Sequence, residues 1–267
     1  MSDRLGALAA IATRKRLEAD ALRCMAGALW AKAENAAPAR DLASALRGGT
    51  LLAEMKRRSP SGGVLRESLD CATTARAYQA CGAAAVSVLT DGPDFGGSLD
   101  DLAAVRSAVD IPVLRKDFTL DPAQIAEARV AGADWVLLIA LLLGGPALDE
   151  CLEAARRARA HAIVEVREPD EARRAVDAGA ECIGVNNRDL RTLTGDLSTF
   201  ARIRPLIPDS VVCIAESGVR TTDDAARLIG EGADCVLVGE TLMRAADPAA
   251  ACAEMVAAVA AAAGGAR

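Results

Sequence analysis

Histidine and aromatic side chains are almost missing from this chain: one His, two Trp, one Tyr and three Phe in 267 residues. A lone His161 leaves no candidate for a Ser/His/Asp triad. It stands between a charged helical stretch and a strand, where a helix-end surface residue is expected. The eight cysteines form no C-x-x-C pair and show no metal-ligand spacing. Most sit in apolar segments such as "CIGV" and "CVLV", where a buried thiol acts as a small hydrophobe. There is no long basic run, and 31 Lys and Arg stand against 37 Asp and Glu, net −6. That balance gives a nucleic-acid partner little support. The longest apolar run, "WVLLIALLLGG", is too short to cross a bilayer. The alanine-rich tail carries Glu254 and is expected to fall short as well. The N-terminus mixes charges into its apolar residues and lacks a signal-peptide core. A soluble, cytoplasmic protein without a membrane partner is expected.

With 52% hydrophobic residues the chain can build one sizeable core. From residue 50 onward it alternates. Short β-rich runs appear at 51–56, 84–90, 112–118, 135–140, 162–166, 182–187, 211–217 and 235–240. Between them lie amphipathic stretches rich in Ala, Arg, Leu and Glu. In "DPAQIAEARVAGAD", Asp121 suits an N-cap, Pro122 the first turn and Gly132 the stop. "EPDEARRAVDAGAE" and "TTDDAARLIGEGAD" repeat that script. Strands alternating with helices predict a parallel sheet, and eight units predict an α/β fold of the (β/α)8 TIM barrel type. An open doubly wound sheet is the alternative. No G-x-G-x-x-G follows the first strand and no P-loop is present, which counts against it. Residues 1–48 lie outside the pattern and read as N-terminal capping helices on one domain spanning 1–267.

In such barrels the active site lies at the C-terminal ends of the strands. The stretch "LLAEMK" ends on Glu54 and Lys56, two residues apart and so on one face of a strand. The third run ends with Lys116 and Asp117, followed by Phe118. The fifth carries Glu165, and the sixth ends with Asn186, Asn187 and Arg188. The seventh ends with Glu216, Ser217 and Gly218, and the eighth with Gly239 and Glu240. Burying so many polar groups at one end is costly unless each is paired or used. Asp117 and Glu216 suit the role of ion-pair partners. The glycines after the last two runs each open onto a helix, as a phosphate site does. Phe95 and Phe118 fall in segments after strands, where they could wall a planar substrate group or anchor the loops.

Together the blocks "AEMKRRSPSGG", "VSVLTDGPDFGGSLDDL", "PVLRKDFTLDPAQIAEARVAGADWVLLI", "VEV", "IGVNNRDLRTL", "AESGV" and "VLVGETLMR" resemble those of indole-3-glycerol phosphate synthases. They stand in that family's order from about residue 50 to 245. The helical N-terminal extension resembles the family too. The resemblance implies a carboxy-lyase of tryptophan biosynthesis. It closes the ring of 1-(2-carboxyphenylamino)-1-deoxyribulose 5-phosphate, with loss of CO₂ and water, to give indole-3-glycerol phosphate.

The resemblance also assigns roles. It makes Lys116 the general acid, Glu165 the base of the dehydration and Lys56 a second lysine near the substrate's anionic groups. Glu54 and Asn186 orient substrate and lysines. Ser217, Gly218, Gly239 and Glu240 form a phosphate cradle, while Ser59 and Arg188 add polar contacts; Phe95, Phe118 and Glu216 complete the substrate-binding set. No metal or cofactor is called for, since decarboxylation itself restores aromaticity. The implied partner is a small phosphorylated substrate, and association with other enzymes of the pathway is left open. Arg167 departs from the family pattern, since many relatives carry histidine there. A related phosphate-binding barrel such as phosphoribosylanthranilate isomerase, or a barrel used only as a scaffold, are the competing assignments.

Overall fold

The structure is a computed structural model and describes residues 8–265. Helices α1 (Leu8–Arg23), α2 (Ala26–Ala33) and α3 (Leu42–Leu46) lead into strand β1 (Thr50–Met55) and a small hairpin of β2 (Arg58–Ser59) and β3 (Gly63–Val64). Then come α4 (Cys71–Ala80), β4 (Ala85–Leu89), α5 (Gly92–Phe95), α6 (Leu99–Ala108), β5 (Val113–Lys116) and α7 (Pro122–Val130). They are followed by β6 (Trp135–Ile139), α8 (Pro146–Arg157), β7 (His161–Val166), α9 (Pro169–Asp177) and β8 (Cys182–Asn186). The chain ends with α10 (Ser198–Ile203), β9 (Val212–Glu216), α11 (Thr222–Gly230), β10 (Cys235–Val238), α12 (Glu240–Arg244) and α13 (Pro248–Gly265).

Strands β1 and β4 to β10 close into one parallel barrel, each paired with its neighbour in sequence, and β10 closes on β1. All eight expected runs are strands, and the fold is a (β/α)8 TIM barrel. The helix starts follow their capping chemistry. Asp121 accepts from the Ala123 N–H, and Gln124 reaches back to the Asp121 N–H, a reciprocal cap that begins α7 with Pro122 in its first turn. Thr221 and Asp224 do the same for α11.

Period-two alternation sorts the side chains. Leu51, Ala53, Val86, Val113, Val136 and Val164 face outward and share one cluster with the surrounding helices. Leu52, Leu114, Trp135, Leu137, Ile163, Ile214 and Leu237 face inward and fill the barrel. Two residues beyond Leu52, Leu114, Ile163 and Ile214, on the same faces, stand Glu54, Lys116, Glu165 and Glu216. The apolar plug thus ends in a polar layer.

The N-terminal segment reaches both ends of the barrel. Leu8 and Ile11 of α1 pack beside Phe118 at the mouth, while Leu42 and Leu46 of α3 belong to the same apolar cluster as Cys182, Val212 and Cys235 near the strand starts. Helix α2 lies against α7, and Trp30 stacks under Arg157 with 4.1 Å from guanidinium to ring centre. The first seven residues of the expected extension lie outside the described residues.

The stretch "RSPSGGV" forms a hairpin, in which Arg58 and Ser59 pair with Val64 and Gly63. Two local expectations are corrected. His161 opens β7 half-buried, 3.6 Å from Glu181, instead of ending a helix on the surface. The tail helix α13, with 18 residues and mean hydropathy 1.4, is long and apolar enough to cross a membrane by length and composition. In the fold it lies along α11 and β1 and buries Cys252, Met255 and Val259.

Candidate active site

A cavity of about 1140 Å³ opens at the C-terminal ends of the barrel strands. Every strand-end and loop candidate singled out in the sequence lines it except Asn187 and Glu216, which are fully buried behind the wall. The floor is built from strand ends in register: Ile139 pairs with Glu165, and Asn186 with Glu216. The Lys116 ammonium, from β5, donates to Glu216 of β9 and lies 3.5 Å from Glu165 of β7. Lys56 donates to Glu54 at 2.6 Å. Glu54 is buried, so this pair belongs to the site and is not a solvated strand end. Asn186 donates to Glu165 at 3.0 Å and accepts the Arg188 N–H at 2.9 Å. That bond fixes both the carboxylate and the start of the loop after β8.

Two glycines make room for this layer. A side chain at Gly184 would collide with the Glu216 carboxylate, its Cβ only 2.1 Å from Oε1. A Cβ at Gly239 would lie 2.5 Å from Glu54 Oε1. The φ of Gly239 is −129°, so glycine is needed there for space and not for backbone conformation. Neither role is visible in the chain, because each glycine serves a carboxylate on a neighbouring strand.

Charges in this layer shift one another. Burial alone would lower the Lys116 pKa, but the carboxylates of Glu216, Glu165 and Glu54 outweigh it and hold the ammonium above its ordinary value. Burial pushes Glu216 up to about 7 in spite of Lys116, helped by repulsion from Glu165. Burial would raise Glu54 too, yet Lys56 and then Lys116 hold it below the usual carboxylate range. One buried carboxyl is therefore poised near neutrality, and one is firmly ionised.

Asp117 lies at the edge of the cavity and Asn187 just outside it. The Lys15 ammonium, buried on α1, lies 2.7 Å from Asp117 and 3.1 Å from Asp91. Asp117 also takes Arg115 at 3.1 Å and the Thr90 hydroxyl at 2.5 Å. Burial would raise its pKa, but Arg115 and Lys15 bring it down to about 2. Asn187 donates to the Glu216 and Ser217 carbonyls and accepts the Phe200 N–H. Its work is to brace the loop after β9.

One wall of the cavity is apolar. Phe95 and Phe118 stand 6.0 Å apart between ring centres, with Leu8 and Ile11 of α1 beside them. Asp91 caps α5, which ends on Phe95, and also receives Arg14 of α1 at 2.8 Å. The contribution of α1 to the cavity was not legible in the sequence, since no motif marks a helix that docks from eighty residues away.

The opposite wall is made by the loops after β9 and β10. These strands pair, and the Thr241 hydroxyl donates to the Val219 carbonyl at 2.6 Å, so the loops are neighbours. Ser217 and Gly218 both have positive φ, 64° and 84°. Such a φ is costly for a serine and marks a backbone held for a purpose. Gly239 precedes α12 as its N-cap. Arg188, from the loop after β8, donates to Ser61 on the hairpin. Ser59 accepts the Gly62 N–H at 3.0 Å and so shapes the same hairpin. Arg244, absent from the sequence-predicted set, donates to the Gly62 carbonyl at 2.6 Å. The Glu240 side chain belongs to this wall. It lies 3.0 Å from Arg244 and 3.5 Å from Arg188.

Comparison with known proteins gives a consistent result. A family model described as indole-3-glycerol phosphate synthase matches residues 8–255. A protein of Mycolicibacterium gilvum named indole-3-glycerol phosphate synthase is 52% identical over 228 residues, which is 85% of this chain and 84% of that one. A Kineococcus radiotolerans protein of the same name is 50% identical, with 85% of each chain covered. Indole-3-glycerol phosphate synthase 1 of Streptomyces coelicolor is 51% identical over the same shares. Among solved structures, thiamine phosphate pyrophosphorylase from Pyrococcus furiosus superposes with a TM-score of 0.62 at 18% identity. It covers 81% of this chain and 98% of its own. At that identity the likeness speaks for the barrel alone.

Proposed function

The chain belongs to the indole-3-glycerol phosphate synthase family, and from that premise we propose which side chains carry each step of its reaction. The activity is that of a carboxy-lyase in tryptophan biosynthesis. It cyclises 1-(2-carboxyphenylamino)-1-deoxyribulose 5-phosphate, with loss of CO₂ and water, to indole-3-glycerol phosphate. The observation that carries the assignment is the Lys116 ammonium on the cavity floor, held by Glu216 below and Glu165 beside it.

Ring closure joins the carboxylate-bearing aromatic carbon to the ribulose ketone carbon. The ketone oxygen gains negative charge as the bond forms and needs a proton. Lys116 is charged at neutral pH and supplies it, with no metal required. Glu216 does not reach the substrate. It aims the ammonium and keeps it protonated. Loss of CO₂ returns the bonding electrons to the ring. Water then leaves from the former ketone carbon after a second protonation, while a base removes the remaining proton. Glu165, oriented by Asn186, is that base. Lys56, oriented by Glu54, meets the substrate's carboxylate side.

The aryl group fits between Phe95, Phe118 and the α1 side chains, where planar apolar surface is buried best. The phosphate fits the backbone of Ser217, Gly218, Gly239 and Glu240, with Arg188 as the counter-charge. Purified protein mixed with the ribulose phosphate substrate should produce indole fluorescence at a rate that saturates with substrate. Absence of product from folded protein would overturn the assignment. The same assay separates this activity from an isomerase or a scaffold, neither of which makes an indole.

A further inference from the structure

Glu240 is out of place in a phosphate seat. Its partly exposed side chain lines the cavity, with the carboxylate 3.0 Å from Arg244 Nε and 3.5 Å from Arg188 Nη2. The same two guanidiniums hold the hairpin after β1, Arg188 through the Ser61 hydroxyl and Arg244 through the Gly62 carbonyl at 2.6 Å. Gly62 lies against the carboxylate, since a Cβ there would be 3.0 Å from Glu240 Oε1. One carboxylate therefore sits among two arginines and the tip of the hairpin. It stands at the start of α12, beside the backbone assigned above to the substrate phosphate.

We propose that the Glu240 side chain is a built-in competitor for the substrate phosphate. It occupies the arginines until the phosphate takes its place. The inference rests on the anion-site reading of the loops after β9 and β10. Among the described residues each of these guanidiniums pairs with a single carboxylate, and ion pairs this exposed to solvent are weak. A phosphate dianion offers more charge and more acceptor oxygens to the same guanidiniums. It also repels the carboxylate across a few ångströms. Glu240 is about a third exposed, so it can swing toward solvent without burying its charge. The exchange leaves Arg188 and Arg244 engaged throughout, and the hairpin stays anchored at Ser61 and Gly62. The competitor lowers affinity for free phosphate and for the full substrate by a similar factor, because the same ion pairs are displaced in each.

The test compares the full chain with Glu240→Gln, which keeps the shape and the backbone N–H but removes the charge. Inorganic phosphate is the probe, titrated by calorimetry at low and fixed ionic strength. Glu240→Gln should bind phosphate at least about fivefold tighter, as expected when a like charge a few ångströms away is removed. Its KM for the ribulose phosphate should fall by a larger factor than kcat changes. Damage to the fold cannot produce tighter binding. Gly218→Val serves as the control for the site itself. Phosphate binding lost in Gly218→Val but unchanged or weaker in Glu240→Gln overturns the competitor alone. Phosphate that binds neither the parent nor Glu240→Gln, or that ignores Gly218→Val, overturns the anion-site reading and the competitor with it.

Discussion

At the scale of single residues, the site is an arrangement of unlike environments for like groups. Glu54, Glu165 and Glu216 lie at the ends of three strands, but their neighbours differ. Lys56 keeps Glu54 ionised, while burial carries Glu216 to about 7. Lys116 serves the carboxylates around it as their common cation. Lys116→Ala should therefore lower kcat by about 10²–10⁴, the usual span for a general acid. The fold should survive, because Glu216 is already near neutrality and can take a proton when its partner is gone. Near-normal turnover in a folded variant would sink the role. Glu165→Gln keeps the hydrogen bond to Asn186 and removes the base. Turnover should slow strongly while KM changes little, and a raised KM at unchanged kcat would make Glu165 a substrate-positioning group instead. These residues were legible because period two places them on inward faces. Glu216 read equally well as a substrate contact, since nothing in "VVCIAES" tells that Gly184, on the next strand, opens space to draw it under the floor.

At the scale of elements, two glycines that look alike in the sequence do different work, and substitution separates them. Gly218 has φ +84° and would press a Cβ against Leu197 at 3.0 Å. Gly218→Val should deform the loop after β9 and raise KM far more than it lowers the unfolding temperature. Gly239 has an ordinary φ, and its missing side chain makes room for Glu54. Gly239→Ala should push Glu54 off Lys56 and so lower kcat, with phosphate affinity nearly retained. Inorganic phosphate titration and steady-state kinetics on both variants check this. Equal loss of phosphate binding in the two would show that both glycines act on the anion. The helix caps were readable from short motifs because their partners lie within four residues. The hairpin after β1 and the docking of α1 were not. Arg188, Arg244 and Asp91 hold those segments from distant parts of the chain, and such pairings leave no local pattern.

At the scale of the whole molecule, the barrel was legible because it is a repeat, and eight apolar runs alternating with capped helices leave few closed arrangements. What the repeat does not reveal is how the N-terminal helix is fastened across its mouth. Lys15 of α1 meets Asp117 beside Lys116, and Arg115, on the outward face of β5 against α7, meets the same carboxylate. Folding therefore lowers the Asp117 pKa from 3.8 to about 2. For a carboxylate the sign follows directly. The stabilisation is fully present above the unfolded value, near pH 4, and is lost as pH falls toward 2. A shift of that size corresponds to about 2 kcal/mol in favour of the folded chain at neutral pH. Asp117→Asn removes the charge, leaves Lys15 and Arg115 short of a partner, and has no ionisation of its own to lose. Its deficit against the parent, measured by urea unfolding, should be largest at pH 6 and should narrow by about half at pH 3. A gap that stays constant between those two values would mean that Asp117 holds α1 by shape and hydrogen bonding, without the charge that Lys15 and Arg115 are placed to meet.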